Sequence, residues 1–340
     1  MNIPADMEKR ILSFLDRAGF TVQGSAVDVA LLAQGGSDRM FYRVKLRDRA
    51  GVVMHDPREK HEIEEYTAVG TFLFKQRIGV PEIIACDREN SLVLMEDLGD
   101  VSLYSLLNQG CSRAAVMDYY RSALQFLAEM HIKATPLMHA CSAVKAFGYE
   151  DLLWETGYFL ERFVEQLCGL SIHGMGEIED EFHRLAALVE RQPRVFMHRD
   201  FQSQNIYFKD GRVRVIDFQT ARAGPLQYDL ASLLKDAYFV LEKDERKALA
   251  HFYHETLRGA RGMDMDPEAC EAAFHLTGLQ RNMQALGAFA FLSLEKGKTV
   301  FLQYIPAALS YLQEALALFP EFPVLRATVQ EAREAVKNRY

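Results

Sequence analysis

The period of the apolar positions changes near residue 100. Residues 7–18 carry Ile11, Leu12 and Leu15 at helical spacing, which predicts a short amphipathic helix. Three strand-like runs follow at 27–33, 40–46 and 51–55, separated by Gly35-Gly36 and by the charged turn 47–49. Residues 58–78 read as a helix with Ile63, Tyr66, Val69, Phe72 and Leu73 on one face, and Pro81 stops it. Two more strands are expected at 82–86 and 91–95, which makes five strands with one helix inserted after the third.

Beyond the linker Gly99-Asp100 helical spacing takes over. It predicts helices over 113–132, 150–167, 177–191, 226–241, 245–257, 268–294, 305–319 and 323–337. Two short strands interrupt the series at 205–208 and 213–216, with Asp210-Gly211 as the turn between them. No internal repeat or low-complexity tract is present. The order predicts an α+β, bilobal chain. Residues 1–98 would form a five-stranded antiparallel N-lobe with the inserted helix, and 99–340 a mainly helical C-lobe whose small hairpin faces the cleft.

Composition narrows the function classes. The chain has 340 residues, is 49% hydrophobic and 25% charged, and carries a net charge of −8. That is enough apolar residue for each lobe to bury a core, and too much for a disordered chain. The acidity argues against a nucleic-acid partner. The five cysteines form no CxxC pair, so reduced thiols are expected rather than disulfides or zinc. The first 24 residues lack the apolar core of a leader, and the longest apolar run, 285–294, is short of a membrane span. A cytoplasmic protein with no membrane partner is therefore expected.

The densest polar cluster is His198-Arg199-Asp200-Phe201-Gln202-Ser203-Gln204-Asn205, and Asp217 follows Asn205 by twelve positions at the end of an apolar run. A tight hairpin brings Asn205 and Asp217 to the same rim. An amide oxygen and a carboxylate there suit Mg²⁺ held together with phosphate oxygens and water. Asp200 lies beside them and can receive a proton. One carboxylate to orient a hydroxyl and two oxygen ligands for a metal are what phosphoryl transfer requires, and H-x-D-x4-N followed by an Asp is the kinase order.

These residues, with Ile216-Asp217-Phe218 and Tyr228-Asp229-Leu230-Ala231, resemble the aminoglycoside phosphotransferase superfamily, whose fold is similar to that of protein kinases. Gly35-Gly36-Ser37-Asp38-Arg39, Phe41-Tyr42-Arg43 and residues 52–57 are further similar to the bacterial kinases that phosphorylate the anomeric hydroxyl of N-acetylmuramate and N-acetylglucosamine in cell-wall recycling. The late run Gly278-Leu279-Gln280-Arg281 also fits that group. The resemblance implies ATP and Mg²⁺, Asp200 as catalytic base, His198 as brace of its loop, and Asn205 and Asp217 on the metal. It implies that Gly35, Gly36, Ser37 and Arg39 form the loop over the phosphates, and that Glu96-Asp97-Leu98 is the hinge offering Glu96 and Leu98 to adenine. Asp229 would support the catalytic loop or cap the helix that starts at Leu230.

One departure stands out. Where many kinases have a third-strand Lys, this chain has Met54. Arg43 on the preceding strand is the first replacement expected and Lys45 the second, because alternate residues of adjacent strands share a face. Glu62, Glu64 and Glu65 are then expected to be solvated charges. Gln280 and Arg281 are expected at the acceptor, since Arg pairs a carboxylate such as the lactyl group of muramate. The leading function is ATP-dependent transfer to a hydroxyl of a small molecule, an amino sugar at its anomeric position. The alternatives are an aminoglycoside or choline-like alcohol kinase of the same fold, or a nucleotide-binding pseudokinase scaffold. A protein kinase is disfavoured, because no A-P-E segment follows Asp217 and Tyr228 comes only eleven positions later.

Overall fold

The computed structural model describes residues 3–21, 26–32, 38–47, 49–57, 60–172, 174–259 and 266–337. Helix α1 (Ala5–Arg17) buries Met7, Ile11, Phe14 and Leu15, a repeat of three to four residues that makes one apolar stripe. Strands β1 (Asp28–Leu31), β2 (Met40–Leu46), β3 (Arg49–His55), β4 (Ile83–Asp87) and β5 (Leu92–Glu96) form one sheet in the order β1-β2-β3-β5-β4, with every pair antiparallel. The five strands and the inserted helix α2 (Lys60–Lys75) match the expected N-lobe, with ends shifted by a few residues at most.

Alternation along β2 sorts the two faces of this sheet. Tyr42, Val44 and Leu46 join Val53, Leu92 and Leu94 in a core under α1. Phe41 and Arg43 pair with Met54 and Val52 and lie on the opposite face. There Val52, Met54, Val93 and Met95 pack with Ile63, Tyr66 and Val69 of α2.

The helical part contains α3 (Leu103–Leu107), α4 (Arg113–Ala134), α5 (Tyr149–Tyr158), α6 (Met175–Glu190), α7 (Gln227–Leu234), α8 (Lys243–Gly259), α9 (Pro267–Leu294), α10 (Ile305–Leu316) and α11 (Pro323–Lys337). Residues 159–167 continue α5 with wider π winding. Three short strands escaped the sequence reading: β6 (Lys145–Ala146), β7 (Arg194–Met197) and β10 (Arg222–Pro225), ordered β6-β10-β7. At two to four residues they are too short to carry a period, and Gly224-Pro225 reads as a turn. The expected hairpin is β8 (Ile206–Lys209) with β9 (Arg212–Val215), antiparallel.

Each lobe buries a core of its own, the one under α1 and a second among α5, α6, α9, α10 and α11, and a third cluster joins the two. One apolar cluster runs from Val52 and Met54 through α2 to Leu124, Phe201 and Phe218. Tyr66 and Phe218 rings sit 4.8 Å apart, and a Cβ on Gly70 would come within 2.9 Å of Phe218. Helix α2 therefore presses directly on the residue after Asp217. No helix among the described residues is long and apolar enough to cross a membrane.

Candidate active site

Residues 198–205 leave the end of β7 and reach the start of β8. Asp229, fully buried in the first turn of α7, accepts the backbone N–H of His198 at 2.7 Å and that of Arg199 at 2.8 Å. Of the two roles expected for Asp229, the structure gives the loop-holding one; Leu226 occupies the cap position. Arg199 takes a left-handed φ of 77°, a strained conformation for a side chain of this size. The two carboxylate-to-amide bonds, at His198 and at Arg199 itself, hold it. His131 backs the same carboxylate, with Nε2 3.4 Å from Asp229 and Nδ1 2.7 Å from the Tyr253 hydroxyl.

His198 is fully buried, and its Nε2 lies 3.0 Å from the carbonyl of Ile216. A carbonyl only accepts, so Nε2 carries the proton. This bond ties the loop to the residue before Asp217. The next support is Asp236, whose buried carboxylate accepts both the N–H (2.9 Å) and the hydroxyl (2.6 Å) of Ser203. Burial pushes the Asp236 carboxyl up, and the Ser203 bonds oppose that.

Asp200 is about one-third exposed. Its Oδ1 accepts Gln202 Nε2 at 3.1 Å and lies 3.5 Å from Arg281 Nη2, while its carbonyl accepts Asn205 Nδ2 at 2.9 Å. Asn205 thus donates inward and keeps its amide oxygen for a cation. The backbone of Asn205 in turn accepts Ile216 N–H at 3.0 Å, which sets Asn205 across the hairpin from Asp217. Asp217 has φ 65° and is 40% exposed. Its Oδ1 accepts Arg39 and Gln219, and no described residue donates to Oδ2. Two hard oxygens on adjacent backbone segments fit Mg²⁺, which takes its remaining ligands from phosphate and water. No larger group of metal-ligating side chains exists among the described residues.

Arg39 joins this rim from the position before β2. Its buried guanidinium reaches Asp56 (3.0 Å), Asp217 (3.1 Å) and Glu62 of α2 (3.5 Å). Glu62 is therefore not a solvated charge and Glu65 pairs with Lys145, whereas Glu64, 55% exposed beside Arg88, is the solvated charge expected. Gly35, Gly36 and Ser37 lie outside the described residues.

Arg43 faces the Met54 side, as strand alternation requires, but its guanidinium is committed elsewhere. It pairs with Asp97 at 2.7 Å and Asp100 at 2.9 Å, at the hinge. This corrects its expected place at the phosphates. Glu96 pairs with Lys209 of the hairpin at 2.7 Å, and Lys209 also donates to the Asp97 carbonyl at 2.8 Å. Leu98 is buried beside them. The hinge is thus pinned from the sheet by Arg43 and from the hairpin by Lys209.

At the acceptor side, Arg281 and Gln280 part company. Arg281 is buried but reaches Asp200, and its Nε donates to Ser232 at 2.9 Å. It lines a cavity with Gln202, Ser232, Asp236, Asn282 and Phe289, between α7 and α9 and beside Asp200. Gln280 is fully buried and donates to Glu155 (3.2 Å) and to the Leu152 carbonyl (2.8 Å). That corrects its expected acceptor contact: one residue along α9 turns the side chain by 100°, from the cavity into the α5 interface. Glu155 is buried as well, bonded by Tyr228 at 2.8 Å, and its burial pushes the carboxyl up. The sequence reading missed Lys235, which ends α7 at the cavity wall over the Phe274 ring; burial lowers it to about 7. A lysine in an otherwise apolar helix pattern was the available signal.

A two-lobed kinase-like fold with a carboxylate on a pinned loop, opposite an Asn–Asp pair, is the architecture of a phosphotransferase. The chain belongs to the phosphotransferase enzyme family, which it matches over residues 28–263. It is 28% identical over 310 residues to an N-acetylmuramate/N-acetylglucosamine kinase of Neisseria meningitidis, covering 89% of this chain and 90% of that one. It is 29% identical over 316 residues to the protein of the same name from Pseudomonas aeruginosa, covering 90% of each. A choline kinase from Cryptosporidium parvum shares the fold at a TM-score of 0.66, with 14% identity, over 97% of this chain and all of that one. An ADP-bound aminoglycoside phosphotransferase shares it at 0.60, with 14% identity, over 92% and 99%. The chain is a small-molecule kinase.

Proposed function

We propose that this kinase transfers the γ-phosphate of ATP to the anomeric hydroxyl of an amino sugar, N-acetylmuramate or N-acetylglucosamine. The observation that carries the reading is Asp200. It sits on a loop held by Asp229, next to a cavity that contains Arg281, with Asn205 and Asp217 across the hairpin. The names of the relatives from N. meningitidis and P. aeruginosa support the sugar class.

In this mechanism Asp200 accepts the hydroxyl proton as the sugar oxygen bonds to the γ-phosphorus, and the bond from that phosphorus to the β–γ bridging oxygen breaks to release ADP. Asn205 and Asp217 would hold Mg²⁺, which supplies charge neutralisation on the phosphates when bound. Arg281 holds Asp200 from the side away from the hairpin and presents a cation to the cavity, where the lactyl carboxylate of muramate would be met. Residues 1–98 would act as the nucleotide-binding lobe and 99–340 as the catalytic and acceptor lobe, in a cytoplasmic enzyme.

The test is ATP consumption with N-acetylmuramate, N-acetylglucosamine, an aminoglycoside and choline. Turnover with the two amino sugars and not the others supports the reading. Turnover with choline or the aminoglycoside, or nucleotide binding with no turnover of any acceptor, overturns it.

A further inference from the structure

In many kinases a cation besides the metal meets the phosphates, and here the third-strand position that would carry it holds Met54, which is buried among apolar side chains. The two basic residues nearest on β2 do not supply it. Arg43 is paired with both Asp97 and Asp100 at the hinge. Lys45 lies two residues further along β2, opposite Ala50 at the far end of the β2–β3 pair from His55 and Asp56.

Arg39 differs from both. It lies one residue before β2, at the end of the sheet where β3 exits through His55 and Asp56. Three carboxylates from three separate segments converge on it: Asp56 after β3, Glu62 on α2 and Asp217 after β9. The residue is 6% exposed, and Asp56 is 1% exposed. The Nε edge is therefore fixed by a buried partner, whereas Nη1 lies against the 40% exposed Asp217. A guanidinium has donors on two edges in one rigid plane, so one edge can be anchored while another meets an anion.

We propose that Arg39 is the phosphate-neutralising cation of this kinase, doing from the position before β2 what other kinases do with a third-strand Lys. Asp56 is its fixed anchor, and Glu62 couples it to α2. The inference rests on the reading that the cleft binds ATP. In this structure Nη1 donates to Asp217. With nucleotide bound, Nη1 turns its donors to phosphate oxygens and leaves Asp217 to the metal. Met54 then has no need to be a lysine, and its slot is filled by packing against Val93 and α2.

The test compares ligands that differ only in phosphate, measured by calorimetric titration of the full chain. Wild-type protein is expected to bind Mg-ATP and, more weakly, adenosine. Arg39→Met is expected to lose at least tenfold in Mg-ATP and Mg-ADP affinity while adenosine affinity stays within twofold. Unchanged adenosine binding also reports an intact cleft. Asp56→Asn keeps the cation but loosens its anchor, so a threefold to tenfold loss for Mg-ATP is expected, again with adenosine unchanged. It decides the matter if Arg39→Met does not fold. Equal Mg-ATP affinity in wild type and either variant overturns the assignment, as does a loss of equal size for adenosine, which marks Arg39 as purely structural. Failure of the wild type itself to bind Mg-ATP would instead remove the reading on which the assignment rests.

Discussion

Asp229 accepts the backbone N–H of His198 at 2.7 Å, across 31 residues of chain and with no exposure to solvent. A second bond to the amide of Arg199 makes this one carboxylate responsible for two donors next to a strained φ. Charge-assisted bonds of this kind contribute about 1.5–3 kcal/mol each, and leaving the donors buried without a partner adds to the loss. Asp229→Ala is expected to lower stability by about 3 kcal/mol and kcat by more than about 100-fold. Asp229→Asn keeps one acceptor oxygen and should lose less. Urea unfolding and steady-state kinetics on both variants check the order.

Arg43 holds the hinge, so its removal should affect stability more than nucleotide chemistry. The hydrogen bond from Arg43 holds the Asp100 carboxyl below its usual range. A depressed carboxyl contributes stability above its unfolded pKa of 3.8, and that contribution disappears as pH falls through the lower folded value. Asp100 is 80% exposed, which screens the pair to about 0.5 kcal/mol. Arg43→Met is expected to be less stable than wild type at pH 7, with the gap narrowing below pH 3.8, and to keep its kcat within about threefold. Unfolding curves at pH 7 and pH 3, with kinetics at pH 7, measure both.

Arg281 is buried against Asp200 and Ser232 at the cavity wall. Arg281→Met removes the cation beside Asp200, the proposed proton acceptor, and kcat is expected to fall about 10- to 100-fold. Arg281→Lys keeps the charge without the planar fork and should recover only part. If the guanidinium also meets the muramate carboxylate, the KM of N-acetylmuramate rises more than that of N-acetylglucosamine. Parallel kinetics with the two sugars separate these effects.

Lys235 has its pKa lowered to about 7 by burial, although Glu314 opposes and Arg246 reinforces the shift. Its ammonium lies 3.4 Å from His275 Nδ1, and burial with the nearby Lys235 charge lowers His275 to about 3. Between about pH 7 and the ordinary lysine value of 10.5 the unfolded chain binds the extra proton, so this group costs stability that is recovered as pH rises. Lys235→Met is expected to be more stable than wild type at pH 7, by about 3 kcal/mol more than at pH 9.5. Denaturant unfolding at the two pH values gives that difference.

What the sequence made legible follows the range of the interactions. The catalytic loop and the hairpin lie within about twenty residues of chain, so spacing and strand pairing alone place Asp200, Asn205 and Asp217 together. The five-stranded sheet and α2 were legible because the helix and four of the five strands run for five residues or more. The strands β6, β7 and β10 were not, because they have no room for a period. Arg39, Asp56, Glu62 and Asp217 come from four segments spread over 178 residues, and only the packed fold brings them to one point. Strand alternation put Arg43 on the correct face, but it carries no information about which carboxylates lie across the hinge. Gln280 and Arg281 are neighbours in sequence, and helix rotation sends them into different environments.

The central claim is that Asp200 directs phosphate onto the anomeric oxygen of an amino sugar. It is tested most directly by ³¹P and ¹H NMR of the product formed from ATP and N-acetylmuramate, with wild type and Asp200→Asn side by side. The account predicts a sugar phosphate whose phosphorus couples to the anomeric proton in the wild-type reaction. In the Asp200→Asn reaction that product is expected to fall by at least about 1000-fold while Mg-ATP binding is kept. Phosphate on any other sugar position, or wild-type turnover by Asp200→Asn, would contradict it.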